Sequence, residues 1–266
     1  MTRSFTAMNN PSENLTEEVP FLLSCGLDGI EISAEDPNSS IALVNQYRSL
    51  IQPHIKIGHT RDDLKLASKD KRERVEAIEL MEDALNLFKS FGVEKVNIHP
   101  HRGSPNLTKE EIFALNVESL NEVALISEKL GIKLMLENQP PFVTMEEIKH
   151  VIDQISPPIF LLLDLAHAFC YAGDKGARSF ITDYYSKIEH IHISDNGGTS
   201  DDHLFPRKGI MNFAEYASLI NQYVSKDVAI SLESFRIKDN GELRIVTDSE
   251  RAKLVPEAIS YLQSIF

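Results

Sequence analysis

The sequence predicts a single (β/α)8 barrel, with residues 1–266 forming one domain. Three observations lead to this prediction. The chain length is close to the roughly 250 residues typical of such barrels. Short apolar runs alternate with helical patterns about eight times, and no linker, low-complexity tract or break in composition divides them. Several of the apolar runs also end in a residue that can bind a metal, as expected if the strand ends converge on one mouth.

The predicted strands are short apolar runs bounded by turn residues, as expected for strands buried on both faces of a sheet. Seven runs have a regular pattern, and an eighth, residues 4–8, has the weakest one. The seven regular runs cover residues 29–32, 55–59, 95–99, 133–137, 159–164, 188–193 and 228–233. Their strict alternation with helices predicts a parallel sheet, either closed or open.

The helices are predicted from apolar periodicity and from capping residues. Gly92 and Gly131 follow helical patterns and predict where those helices end. Residues 72–91 carry an apolar stripe that consists of Val75, Ile78, Leu80, Met81, Leu85 and Phe88. Helix starts are predicted at Thr108 with Glu111, at Thr144 with Glu147, and at Asp248 with Arg251 and Leu254.

Composition limits the classes of function. The formal net charge of −13 disfavours nucleic acid as a partner, although an acidic protein can still carry a locally basic groove. No apolar run approaches the roughly 20 residues that span a bilayer, and residues 1–20 lack the apolar segment of a secretion signal. Cys25 and Cys170 are too few for a disulfide framework, so a cytoplasmic location without membrane contact is expected.

Six predicted strands end in a residue that can bind a metal ion. In a closed parallel barrel these side chains converge at one mouth, whereas an open sheet would spread them along an edge. A lone His in a strand is more often structural, and a lone Asp at a strand end is often a helix cap. A carboxylate at the end of an apolar strand, however, is costly to bury without a cationic partner. The six residues are His59, His99, Glu137, Asp164, His192 and Glu233.

Carboxylate and imidazole ligands together suit Mn²⁺, Zn²⁺, Co²⁺ or Mg²⁺, and imidazole favours Mn²⁺ or Zn²⁺. His167, three residues after Asp164, is a further candidate ligand or substrate contact. Asp201 and His203 have a spacing that can chelate, but surface loops are often rich in Asp, so both interpretations stay open. Glu31, which ends its own run, is expected to line the pocket or to pair with a neighbouring cation.

Taken in order, these strand ends resemble those of the xylose isomerase-like barrel superfamily. That superfamily includes sugar-phosphate isomerases and epimerases, ketose 3-epimerases and endonuclease IV. The resemblance covers nearly the whole chain, and the order of the motifs is specific to the superfamily but not to one activity. The motifs are residues 29–32, His59, His99-Pro100, Glu137-Asn138, Asp164 with His167, residues 192–195 and Glu233.

The resemblance implies a metal-dependent isomerase or epimerase of carbohydrate metabolism that acts on a small sugar, sugar phosphate or polyol. In epimerase-like members, two glutamates move a proton at the carbon next to a carbonyl that the metal polarises. The implied metal ligands are Glu137, Asp164, His192 and Glu233. The implied catalytic residues are Glu137, Glu233 and His167, and the implied substrate contacts include His59, His99 and His167.

The resemblance leaves a second enzyme class open, an endonuclease IV-like, zinc-dependent phosphodiesterase that acts at apurinic sites. Against it stand the turn at residues 138–141, which lacks the expected glycine, and mouth loops that are predicted to be short and poor in aromatic residues. A barrel that only binds a polyol is disfavoured because both glutamates are present. The larger ligand set of the nuclease would add His59, His99, His167, Asp201 and His203.

Arg207 and Lys208 lie in a loop that departs from the Gly-x-Gly pattern of the superfamily, because Arg207 stands where the first glycine is expected. Both are candidates for binding a phosphate or carboxylate of the substrate, although exposed basic side chains are common in loops. Members of the superfamily are often dimers or tetramers, so a homo-oligomer is left open.

Overall fold

Eight parallel strands close into a barrel in the order of the sequence, so that the first strand pairs with the eighth. The structure is a computed structural model that describes residues 3–9, 15–34, 46 and 48–266. The predicted (β/α)8 fold is confirmed. The barrel strands are β1 Phe5–Met8, β2 Gly29–Ala34, β3 Ile55–Thr60, β4 Lys95–Ile98, β5 Lys133–Glu137, β6 Phe160–Asp164, β7 Ile188–Ile193 and β8 Ala229–Leu232.

The helices surround the barrel, and several of them begin or end where the sequence predicts. Capping boxes at Thr108 and Thr144 open the two predicted helices, and Gly131 ends the first of them in the left-handed conformation. The last helix begins at the predicted Asp248, with Thr247 as its N-cap. The helices are α1 Leu15–Ser24, α2 Arg48–Ile51, α3 Lys71–Ser90, α4 Lys109–Leu130, α5 Met145–Ile152, α6 Leu165–Asp183, α7 Phe213–Tyr223 and α8 Asp248–Ile265, with 3-10 turns at Gln52–His54 and Tyr185–Lys187.

None of the helices in the described ranges combines the length and the hydropathy needed to cross a bilayer.

The strand with the weakest pattern in the sequence, β1, is the one that closes the barrel. Ala7 lies opposite Ile30 of β2 on one side and Leu232 of β8 on the other. Thr6 faces the barrel interior, where its hydroxyl oxygen lies 2.5 Å from that of Ser231. A polar residue on the inward face of a four-residue strand interrupts the apolar run, and this explains the weak pattern.

The barrel interior contains an apolar layer and, closer to the mouth, a polar one. Ile57, Met135 and Leu162 form a small buried cluster that is separate from the main core between sheet and helices. Side chains alternate along a strand, so residues two positions further point to the same interior. On these three strands the residues two positions further are His59, Glu137 and Asp164.

The buried face of α3 differs from the predicted apolar stripe. Met81, Leu85 and Phe88 are buried as expected, but the prediction for Val75 is wrong, because this side chain is 43% exposed. Ala77 is buried instead. A stripe defined by large apolar residues does not reveal a face on which small residues allow close packing.

The connection after β8 is longer than the sequence analysis predicts. It carries an antiparallel hairpin at the mouth, made of β9 Arg236–Asp239 and β10 Glu242–Ile245. The backbone N–H groups of Phe235 and Arg236 donate to the carbonyl oxygen of His203, each at 3.2 Å. The prediction of short mouth loops is wrong here. The Asn-Gly pair at residues 240–241 is the sequence signal that could have revealed the hairpin.

Candidate metal centre

The six predicted strand-end residues all lie at the C-terminal mouth of the barrel, and their side chains are almost fully buried. His192 is at the centre of the group. Its Nδ1 atom lies 2.8 Å from Glu233 Oε2, and 4.0 Å from both Asp164 Oδ2 and Glu137 Oε2. Side chains from four strand ends therefore surround one region, as a closed parallel barrel allows.

Asp164 is both a helix cap and a member of this group. Its Oδ1 atom accepts a hydrogen bond from the backbone N–H of His167 at 2.6 Å and so caps α6. The Asn138 amide side chain holds the backbone of Asp164, accepting from its N–H at 2.7 Å and donating to its carbonyl oxygen at 2.9 Å. Because the cap uses Oδ1, the Oδ2 atom is left facing His192.

Three atoms at the centre fit a divalent cation, because Asp164 Oδ2 has no hydrogen-bond partner among the described residues and His192 Nδ1 and Glu233 Oε2 have only each other, at 2.8 Å. All three are buried, and the possible metal-ligand atoms of these residues lie within 4.8 Å of one another. Leaving such groups buried without a partner is costly, and the two carboxylates also repel each other. A cation that prefers oxygen and nitrogen ligands would remove both costs, so the residues fit a metal site.

Burial raises the pKa of Asp164 to about 7, and the neighbouring carboxylates of Glu233 and Glu137 act in the same direction, while nearby histidines oppose them. A metal ion binds the deprotonated carboxylate. The affinity for a divalent cation is therefore expected to rise with pH, by about tenfold per pH unit below pH 7 for each proton released.

The measurement is a zinc titration against a competing chelator dye at pH 5.5, 6.5 and 8, with the dye affinity calibrated at each pH. An affinity that stays constant between pH 5.5 and pH 6.5 would contradict the assignment of Asp164 as a ligand.

Glu137 has its own set of hydrogen-bonding neighbours. Its Oε2 atom accepts a hydrogen bond from the side-chain amide of Asn97 at 2.7 Å and lies 3.1 Å from His99 Nε2. Its Oε1 atom lies 3.2 Å from His167 Nδ1. Burial opposes ionisation of Glu137, but the surrounding histidines outweigh it and hold the pKa of this carboxyl well below its ordinary value. The group is therefore a carboxylate that can act as a ligand or a base.

His167, Asp201 and His203 form a second group at the mouth. Asp201 Oδ2 lies 3.1 Å from His167 Nε2 and 2.9 Å from His203 Nε2. Despite the opposing effect of burial, the two histidines lower the pKa of Asp201, and Asp201 with Glu233 raises the pKa of His203 to about 9. The structure thus brings these three predicted residues together, and the nitrogen and oxygen atoms that could ligate a metal are close enough to hold a cation.

A third group consists of His59, His99 and Glu137, whose possible metal-ligand atoms also lie within 4.8 Å of one another. Below it lies Glu31, which is buried and does not line the cavity at the mouth. Burial opposes ionisation of Glu31, but His192, His190 and His59 outweigh it and hold its pKa well below the ordinary value. The expected cationic partners of Glu31 are therefore imidazoles.

A cavity of about 390 Å³ opens above these groups. Asp164 and His192 lie deeper than its wall, and Phe235 and Ile245 border it on the side of the hairpin. Arg251 of α8 also borders it and forms a buried ion pair with Glu18. The predicted residues that line the cavity are His59, His99, Glu137, His167, Asp201, His203 and Glu233.

Arg207 and Lys208 do not reach this cavity. They border a separate cavity of about 210 Å³, between their loop and α8. Arg207 has a left-handed backbone conformation, with φ of 72°, and its guanidinium lies over the ring of Tyr261 at 5.3 Å from the centroid. The backbone turn at Arg207 thus places both side chains away from the candidate metal centre.

Sequence reasoning missed three polar residues that shape the site. Asn97 lies within a predicted apolar run, and His190 precedes His192 by two positions, so that both histidines point into the barrel. These two positions were a usable signal, because a polar side chain on the inner face of a buried strand needs a partner. Arg251 gave no such signal, because charged residues are common on helices.

Comparison with known proteins finds relatives that match most of the chain. Protein MJ1311 of Methanocaldococcus jannaschii is 28% identical over 240 residues, which cover 85% of this chain and 81% of that protein. Fructoselysine 3-epimerase of Escherichia coli O157:H7 is 24% identical over 207 residues, which cover 71% of this chain and 74% of that protein. The crystal structure of a D-tagatose 3-epimerase-like protein matches with a TM-score of 0.74 at 25% identity, over 98% of both chains.

The epimerase among these relatives supports the predicted class of enzyme, an isomerase or epimerase. The family model described as xylose isomerase-like TIM barrel matches residues 19–265, which is nearly the whole chain. The resemblance inferred from the strand ends is thereby confirmed, and the chain belongs to the xylose isomerase-like TIM barrel family.

Proposed function

We propose that the protein is a divalent-metal-dependent isomerase or epimerase that acts on a small sugar, sugar phosphate or polyol. The observation that carries the proposal is the buried group of Asp164, His192 and Glu233 at the floor of a cavity, whose possible metal-ligand atoms lie within 4.8 Å of one another and in which Asp164 Oδ2 has no hydrogen-bond partner among the described residues. Glu137 and Glu233 line the same cavity. The names of the relatives, fructoselysine 3-epimerase and D-tagatose 3-epimerase-like protein, agree with a sugar-like substrate.

The residues that would hold the metal are Glu137, Asp164, His192 and Glu233. The bound cation would act as a Lewis acid that polarises a substrate carbonyl and so acidifies the neighbouring C–H bond. Imidazole among the ligands favours Mn²⁺ or Zn²⁺ over Mg²⁺. His59, His99 and His167 border the cavity and offer hydrogen-bonding groups to substrate hydroxyls.

Glu137 and Glu233 would transfer the proton. They stand at the ends of β5 and β8, which are three strands apart in the barrel, so they can approach a substrate carbon from different sides. One glutamate, as the carboxylate, would accept the proton, and the other, carrying a proton taken up from solvent, would donate it to the opposite face, which inverts the carbon and leaves the two glutamates with their protonation states exchanged. Glu137 is 2% exposed and Glu233 is 7% exposed, so little water competes for the proton at either group.

A second candidate function is phosphodiester hydrolysis with two or three zinc ions. One specific observation favours it: besides the central group, His167, Asp201 and His203 form one metal-capable group and His59, His99 and Glu137 form another. The net charge of −13 and the stated activity of the epimerase relative favour the isomerase or epimerase.

The test combines metal analysis with solvent exchange. Protein purified without chelator is expected to hold at least one divalent metal ion per chain. In D₂O it should exchange the hydrogen next to the carbonyl of its substrate for deuterium, as seen by proton NMR with a panel of ketohexoses, their phosphates and inososes. No exchange across this panel by metal-loaded protein would contradict the proposal. Cleavage of an abasic-site oligonucleotide would establish the second candidate instead.

A further inference from the structure

Glu31 lies inside the barrel, one layer below the cavity, with a fully buried side chain. Its Oε1 atom lies 2.8 Å from His59 Nδ1 and 2.9 Å from His192 Nε2. Its Oε2 atom accepts a hydrogen bond from the Ser231 hydroxyl at 2.5 Å and lies 3.1 Å from His190 Nε2. Four groups thus surround one carboxylate, and each of them is able to donate a hydrogen bond.

A carboxylate can only accept hydrogen bonds, so each ring nitrogen that faces Glu31 must carry the hydrogen. In a neutral imidazole the other ring nitrogen then holds a lone pair. For His192 this nitrogen is Nδ1, the atom that faces Glu233, Asp164 and Glu137. A lone pair among three carboxylate oxygens is unfavourable unless a positive charge, either a metal ion or a proton on Nδ1, lies between them.

The same oxygen of Glu31 orients two imidazole rings at once. The rings of His59 and His192 are stacked, with centroids 5.5 Å apart and planes at 10°. Both rings point one nitrogen down to Glu31 Oε1. A shift of this carboxylate would therefore change the orientation of two rings at the mouth together, and not of one alone.

We propose that Glu31 is the positioning residue of the metal centre: it holds His192 with Nδ1 unprotonated and directed at the metal, and it holds His59 parallel to His192. The inference rests on the metal site of the proposed function. Outside the ligand shell, a carboxylate behind a metal-binding histidine fixes the ring and increases the basicity of the ligand nitrogen.

The experiment measures zinc affinity by competition with a chelator dye, using metal-free full-length protein and no turnover assay. The zinc site of interest is the one whose zinc binding is lost in an Asp164→Asn variant. Glu31→Gln keeps the size of the side chain but replaces one accepting oxygen by a donating amide and removes the charge. It is expected to bind zinc at this site about 10- to 100-fold more weakly than the wild type.

Ser231→Ala is the matched control. It alters the same buried network, but at Oε2 of Glu31 and away from both hydrogen bonds to His59 and His192. Its zinc affinity should stay within about threefold of the wild type, since the arrangement at Oε1 is kept. Circular dichroism and thermal unfolding of each variant establish that the barrel is folded. If Glu31→Gln does not fold, Glu31→Asp, which withdraws the carboxylate from both rings, takes its place with the same expected weakening.

Wild-type zinc affinity in a folded Glu31 variant would overturn the inference. Equal weakening by Ser231→Ala would overturn it as well, because the effect would then belong to the buried network as a whole. If the Asp164→Asn variant binds as much zinc as the wild type, the metal site itself is refuted. This outcome is distinguishable from a failure of the inference about Glu31, because Glu31 is unchanged in both proteins.

Discussion

Replacement of Glu233 by glutamine is expected to lower turnover by at least about 10²- to 10⁴-fold while the barrel stays folded. The substitution removes the proposed proton-accepting group and weakens a proposed metal ligand, although the shape of the side chain is kept. Glu233 follows β8 and borders the cavity, and its contact with β7 is made by the backbone N–H that donates to the Ile193 carbonyl oxygen at 3.0 Å, so the substitution leaves this contact in place. The measurement is the rate of solvent deuterium exchange into substrate at saturating metal.

Glu189→Gln is the control for this experiment. Glu189 stands near the opposite end of β7, where it pairs with Lys95 and Lys133 at the base of the barrel. The same chemical change at that position should leave turnover unaltered. Activity of Glu233→Gln within a few-fold of the wild type would show that Glu233 does not transfer the proton.

An Asp164→Asn variant is expected to bind a divalent cation more than about 100-fold more weakly than the wild type, since loss of a direct ligand should exceed the effect of losing an outer partner. The asparagine Oδ1 atom can still cap α6 by accepting from His167, so the helix start is kept. The change is confined to Oδ2, the atom without a partner. Equilibrium dialysis against zinc measures the loss directly.

The same variant is expected to be more stable than the wild type when both are free of metal at pH 8. The pKa of Asp164 is raised from an ordinary 3.8 to about 7 by burial, so above pH 7 the folded wild type must carry a buried charge that the unfolded chain carries at no cost. The penalty is fully present above pH 7 and disappears as the pH falls toward 4.

Thermal unfolding in the presence of chelator should therefore show a higher Tm for Asp164→Asn at pH 8, and a smaller difference at pH 5. Added zinc should raise the Tm of the wild type much more than that of the variant, because a ligand that binds only the folded state stabilises it. A metal-free variant that is less stable than the wild type at pH 8 would show that the buried charge of Asp164 does not destabilise the metal-free fold.

Sequence alone determined the parts of this protein that follow from local periodicity. The apolar runs predicted all eight barrel strands, and capping boxes located two helix starts, because both patterns arise from neighbours along the chain. The sequence also predicted convergence of the strand-end residues, since a closed parallel barrel sends every strand end to one mouth. The hairpin after β8 was missed although its Asn-Gly turn was visible.

The tertiary structure decided which side chains meet and in which direction each atom points. Arg207 and His203 lie in the same loop, yet only His203 reaches the cavity. Glu31 and His190 come from strands far apart in sequence, and no periodic pattern predicts that they share a hydrogen bond across the barrel. Pairings of this kind depend on strand register and barrel closure, which are long-range properties, whereas the type of each element depends on residues a few positions apart.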